Sequence, residues 1–178
     1  MMKKSKRSDV DPFIVMDVME SARIAEEKGK DIIHMEVGQP GTPAPKIAKD
    51  YITNEINKNN LGYTVSLGLP ALRTKISKLY GDWYNLDLNP NRIVVTTGSS
   101  GAFILSFSAL FDSGDRVGIG SPSYPSYRQI LKSLSLETVD IQTKLQNRFQ
   151  PVPEDITNNN LNGILVASPA NPTGSMLD

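Results

Sequence analysis

"RIVVTTGSSGAFILSFSALFDSGDRVGIGSPSYPSY", Arg92–Tyr127, decides the fold. Its β-branched run Ile93–Val95 enters a loop of threonine, glycine and serine. An apolar stretch of helical length follows to Phe111, then a second short run, Val117–Ile119, opens into serine, proline and tyrosine. The alternation continues downstream with a helix through "YPSYRQILKSL", a strand in "LETVDIQ" and a strand in "GILVAS" (163–168). Short β-branched runs between helical stretches indicate an α/β fold, a mainly parallel sheet with helices on both faces. The spacing predicts mutually parallel strands near 92–97, 116–120 and 163–167. Ligands of such sheets bind beyond the carboxyl ends of the strands. Three runs end in loops of small residues, "TTGSSG", "GSPSYPSY" and "ASPANPTG", which places Ser99, Tyr124 and Asn171 at one edge.

Upstream, Asp11 and Pro12 resemble a helix cap and first-turn proline. Ile14, Val15, Val18, Met19, Ala22 and Ala25 then recur at helical spacing until Gly29. "DIIHMEVG" reads as a short strand, and the prolines of "QPGTPAP" as a rigid connection with a boundary near residue 40. A second helix is expected over 45–57. A third carries Leu69, Leu72, Ile76, Leu79 and Trp83 on one stripe, with Trp83 in the core.

Composition narrows the function. Lys plus Arg (19) balances Asp plus Glu (19), so no broad positive field favours nucleic acid. The basic start "MMKKSKRSDVDPF" lacks the apolar stretch of a secretory signal and reads as a frayed tail. The longest apolar stretch, "GAFILSFSALF", is too short to span a bilayer. The absence of cysteine fits a reducing compartment, so the expected location is the cytoplasm.

The loops carry the chemistry. Serines in the first turn of a helix offer hydroxyls beside free amides and the positive end of the macrodipole, a setting for phosphate, or else a serine-capped turn. A dinucleotide fingerprint would require glycine where Ala102 and Ile104 stand. A hydrolase elbow nearly fits Gly98, Ser100 and Ala102, but its base follows the nucleophile, whereas the only histidine, His34, precedes it and reads as a strand residue without a catalytic role. Tyr124 and Tyr127 could stack on a planar ligand or cover the sheet edge. The Asn171 amide, fixed by Pro172, could lower the pKa of a phenolic oxygen or simply form a turn.

In this order the segments "EVGQP", "GYTVSLGLPALR", "VTTGSSGAF", "GDRVGIGSPSYPSY" and "ASPANPTG" resemble the pyridoxal phosphate dependent aminotransferases of class I and II, of fold type I. The resemblance covers residues 36–174. It implies residues 1–40 as an N-terminal arm with part of a small domain, and 41–178 as the first part of the large cofactor-binding domain. Pyridoxal 5'-phosphate would then be the cofactor. Its phosphate would sit on Ser99 and Ser100, with Gly98 and Gly101 shaping the turn, its ring against Tyr124, and its phenolic oxygen near Asn171. Tyr63 would reach the phosphate of a neighbouring subunit in a homodimer with shared sites. Gly38, Tyr124 and Asn171 would lie near the substrate. No metal, nucleic acid or membrane partner is implied.

Members of this family also use a lysine, linked covalently to the cofactor, well downstream of the Asn-Pro-x-Gly loop. Here the last lysine is Lys144, and Asp178 is too close behind Asn171 to be the aspartate that pairs with the ring nitrogen. The sequence is therefore expected to be the front portion of an enzyme, with cofactor-positioning loops and no catalytic residue of its own. The expected reaction of the whole protein is amino-group transfer between an amino acid and a 2-oxo acid. Carbon-sulfur lyase, synthase or decarboxylase chemistry, or a ligand-sensing role, is the alternative.

Overall fold

The computed structural model describes residues 3–177, so Asp178 lies outside the described residues. The chain divides into two compact units, Met1–Ile14 with Thr97–Asp178, and Val15–Thr96. The described helices are α1 (Ile14–Glu27), α2 (Lys46–Ile56), α3 (Pro70–Tyr84), α4 (Gly98–Leu110), α5 (Ser126–Ser133) and α6 (Pro153–Asn158). The described strands are β1 (Arg116–Ser121), β2 (Glu137–Gln142) and β3 (Gly163–Leu165).

The first unit is α/β. Its sheet has the order β2-β1-β3, and β1 runs parallel to both neighbours. Val117 pairs with Thr138 on one side and Gly163 on the other, and Ile119 with Asp140 and Leu165. A strand flanked on both edges has its backbone groups satisfied within the sheet, which permits the fully apolar Val117 and Ile119 to be buried. Phe107 of α4, Ile130 and Leu131 of α5 and Leu136 before β2 complete the core, each removing apolar surface worth about 1.5–3 kcal/mol.

The second and third expected strands are thus present and parallel. The first is not. Pro90–Arg92 forms a 3-10 turn, and residues 93–96 run on without regular structure into α4. β-branched residues make a strand only where a neighbouring backbone supplies partners. Here Val95 instead donates its N–H to the carbonyl of Leu67 at 3.0 Å. "DIIHMEVG" is likewise irregular rather than a strand.

The second unit is helical. α1 begins at Ile14, two residues past the proline expected to open it. Pro45 precedes α2, and Pro70 opens α3, where its missing N–H costs nothing. α3 stops at the left-handed Asn85, whose N–H returns to Gly81 O at 2.9 Å. The buried Arg73 holds α3 to the following chain. Its Nε donates to Ile93 O at 2.9 Å, and its Nη2 to Pro90 O at 2.7 Å and Asn91 Oδ1 at 3.2 Å. Trp83, expected in the core, is 67% exposed and meets the ring of Tyr84 edge-on. Periodicity identifies the apolar side of a helix without stating what covers it.

Among the described residues, no helix is long and apolar enough to cross a membrane, and no cluster of acidic or histidine side chains is arranged to hold a metal.

Candidate cofactor site

Gly98 starts α4 at φ +75°, a left-handed conformation in which the missing Cβ matters although the surrounding space is open. That turn leads into the first residues of α4. Thr97, which precedes them, makes no side-chain capping bond, and Ser99 and Ser100 stand exposed in the first turn, with Gly101 half-buried behind them. Two exposed hydroxyls and the positive end of the helix macrodipole together suit a phosphate dianion.

One turn into α4 an aromatic ladder begins. Phe103 meets Tyr127 edge-on at 5.2 Å, and Tyr127 meets Tyr124 at 5.5 Å. Phe13 closes the far side of Tyr124 at 6.2 Å. Toward the core, Phe103 stacks on Phe107 at 5.5 Å. Tyr124 is therefore held through rings rooted in the buried core, which fixes its plane at little entropic cost. The ladder connects the start of α4 to the loop after β1.

The third loop leaves β3 at the same end of the sheet, because β1 and β3 are parallel. Asn171 is exposed there and lines a narrow cleft with Gly120, Ser123, Tyr127, Gln150 and Ala167. The loop closes on itself: Gly174 N donates to Ala170 O at 2.7 Å, and Ala170 N to Ser175 O at 2.8 Å. Leu177 N donates to Ser168 Oγ at 3.0 Å. The Ser121–Pro122, Ser168–Pro169 and Asn171–Pro172 peptide bonds are cis. Hydroxyls and amides for a phosphate, a held aromatic ring and an amide side chain form a donor set that fits a phosphorylated pyridine.

Gly38 and Tyr63 belong to the helical unit. Both are exposed, and Tyr63 is fully so. The loop bearing Tyr63 is shaped by Gly68, whose φ is +97° and whose added Cβ would lie 2.5 Å from Val95 Cγ2, so two separate constraints demand glycine. His34, expected in a strand, is instead exposed in irregular chain. Its Nδ1 lies 2.6 Å from Glu36 Oε1 and its Nε2 2.9 Å from Glu26 Oε1. The Glu36 bond first, then Glu26, raises the imidazole to about 9, and the hydrogen bond with His34 lowers Glu36.

Two polar residues at structural junctions escape the sequence reading, Arg73 and Gln150, both buried. Arg73 closes the segment "GYTVSLGLPALR", where nothing in the residue types marks it as buried, and Gln150 lies in no recognisable pattern. A polar residue among loop residues looks the same whether it faces water or the interior.

Comparison with known proteins agrees with the loops. The chain is 60% identical to a candidate aminotransferase from Silicibacter pomeroyi, with a TM-score of 0.87 over 99% of this chain and 45% of that one. An aminotransferase crystal structure from Mycobacterium tuberculosis matches at 41% identity and TM-score 0.93, over 99% of this chain and 46% of that one. The valine–pyruvate aminotransferase of Mycobacterium tuberculosis is 42% identical over 173 residues, 96% of this chain and 45% of its own. The chain thus spans a little under half the length of the relatives it matches. The sequence pattern of "Aminotransferase class I and II" matches residues 30–178, and the chain belongs to that pyridoxal 5'-phosphate dependent family.

Proposed function

We propose that the whole protein to which these residues contribute moves an amino group between an amino acid and a 2-oxo acid, and that residues 98–101, 124 and 171 hold its cofactor. The observation that carries this reading is the grouping, within one compact unit, of an uncapped serine-bearing helix start, an anchored tyrosine and an exposed asparagine beyond parallel strands. Bound there, pyridoxal 5'-phosphate supplies an electron sink for the substrate's α-carbon. The protein's part is positional: Ser99 and Ser100 bind the phosphate, Gly98 and Gly101 allow the turn, Tyr124 limits the ring's tilt, and Asn171 donates to the phenolic oxygen. Gly38 presents its backbone N–H toward the substrate carboxylate.

In this reading Tyr63 serves a second copy of the chain, as its full exposure allows, and the enzyme is a homodimer with shared sites. Residues 1–40 then form the arm and part of the small domain, and 41–178 the first part of the large domain. No lysine follows Lys144 in this sequence, and none of its lysines is assigned the covalent role. The same reading places the protein in the cytoplasm, with which the cysteine-free composition is compatible. The test supplies the purified full-length protein with cofactor, single amino acids and a 2-oxo acid, and separates the products. Equimolar appearance of a new amino acid and a new 2-oxo acid is expected. Release of a thiol or carbon dioxide without amino exchange would replace this reading with a lyase or decarboxylase.

A further inference from the structure

We propose that Gln150 is a positioning residue that clasps the Asn171 loop to the sheet and thereby sets where the Asn171 amide points. The proposal rests on the cofactor reading above. Gln150 is 5% exposed, unusual for a glutamine outside regular structure, and burying its amide is tolerable only if it is hydrogen-bonded. Its Nε2 donates to Ala167 O at 3.1 Å and to Ser175 O at 2.9 Å. These carbonyls bracket the loop: Ala167 lies two residues past β3, and Ser175 four residues past Asn171. The bonds inside the loop give it a shape, since Ser175 O also accepts from Ala170 N at 2.8 Å. They do not join it to anything else.

Gln150 does, because its own backbone is fixed by the bond from its N–H to Asn147 O at 2.9 Å, just beyond the 3-10 turn Leu145–Asn147. An amide has two protons, and here each serves one end of the loop. Ser175 Oγ, at 3.4 Å, adds a weak third contact. Gln150 and Asn171 line the same cleft, so a shift of the clasp would reach the site directly. The Asn171 side chain makes no hydrogen bond to another described residue, so its aim depends on the loop that carries it. Small displacements of a donor from a charge it must meet are costly, which gives the clasp a chemical consequence beyond stability.

The test uses the full-length protein and two substitutions: Gln150→Met, which keeps length and packing but cannot donate, and Gln150→Glu, which keeps shape. Hydrogen exchange without added cofactor reads the loop. In Gln150→Met, exchange in peptides covering 168–177 should rise ~10-fold, as expected for losing a hydrogen bond, while β1 stays protected. With pyridoxal 5'-phosphate bound, the pH midpoint of its visible absorption should move upward toward that of Asn171→Ala, on the order of one unit, because a donor to the charged phenolic oxygen has been displaced. A merely structural glutamine would raise exchange across the whole unit and leave the midpoint in place. If Gln150→Met unfolds, Gln150→Glu decides by the same readings.

Unchanged loop exchange, or an unchanged midpoint where Asn171→Ala does shift it, overturns the clasp and leaves the cofactor reading standing. Failure of the wild-type protein to take up cofactor overturns that reading and the clasp's chemical role together. Exchange would still show whether Gln150 holds the loop.

Discussion

The two units of this chain bury their side chains differently. In the α/β unit, Val117, Ile119, Ile130, Leu131 and Leu136 close around one central strand, with Phe107 of α4 packed above it. In the helical unit, the buried residues are Ala22 and Arg73, while Ile47, Tyr51, Leu72 and Trp83 remain exposed on helices that each carry an apolar stripe. A parallel sheet with helices packed on it supplies a core from within a single stretch of chain. Separate amphipathic helices do not, and they depend on pinned junctions such as Arg73. The proposed cofactor loops lie on the unit that is internally packed, as a site that must hold a ligand in register requires.

The sharpest way to break this contrast is to truncate one large side chain in each unit of the full-length protein. Leu131 is completely buried, and Leu131→Ala should cost about 3 kcal/mol, from lost transfer energy and the cavity left behind. Trp83→Ala removes a larger group from a more exposed position and should cost under about 1 kcal/mol. Urea unfolding followed by hydrogen exchange in each unit measures both. Equal costs would mean that Trp83 is covered in the whole protein and that the contrast does not survive there.

Much of this organisation is legible in the sequence, and the misses share a cause. β1 and β2 are found where short apolar runs are bounded by glycine, serine or acidic residues, and α3 where Pro70 opens a regular stripe. Residues 93–96 have the same composition as a strand, yet strandedness is a property of a pair, and the partner is not encoded in the run. Trp83 fails for the same reason: a stripe names a face and leaves its cover unstated. In the site, Ser99, Ser100, Tyr124 and Asn171 are visible because turn chemistry restricts which residues occur there. Gln150 and Arg73 are not, because their shortest bonds go to backbone carbonyls, which carry no sequence identity.

Arg73 offers the next test, since it substitutes polar anchoring for a core. Arg73→Met keeps the aliphatic stem but removes the guanidinium donors from the carbonyls of Pro90 and Ile93, and should cost about 2 kcal/mol within the helical unit. Arg73→Lys should recover only part of this, because an ammonium cannot reproduce the guanidinium fork. Exchange at residues 88–95 should rise while β1 and α5 stay protected. If both units loosen together, they unfold as one and the contrast is one of packing density alone.

A smaller effect is expected at the start of α4, where function rather than stability is read. Removing one hydroxyl by Ser99→Ala or Ser100→Ala should weaken cofactor binding by about ten-fold each, the worth of one hydrogen bond to a charged group. Melting should barely change, because both serines are exposed. Titration of the apo full-length protein with pyridoxal 5'-phosphate, followed by fluorescence, gives the comparison. Wild-type affinity in both variants would reduce this helix start to an ordinary turn and leave the packed unit without its phosphate site.

The smallest expected effect belongs to the helical unit and carries a sign that can be checked. His34 links Glu26 at the end of α1 to Glu36, two residues before Gly38. Glu36 and then Glu26 raise its folded pKa to about 9, against about 6.5 in the unfolded chain. A group raised on folding binds its proton more tightly in the native state. Its stabilisation is therefore fully present below about pH 6.5 and is lost as pH climbs toward 9, provided the carboxylates stay ionised. Since all three side chains meet water, the effect must be modest and weakened by salt. Wild type should then exceed His34→Gln in urea midpoint at pH 6, with the gap closing between pH 7 and pH 9 and shrinking in high salt. A gap that stays constant across that range would assign His34 a packing role independent of its charge, and the helical unit would owe less to polar junctions than the contrast with the α/β unit requires.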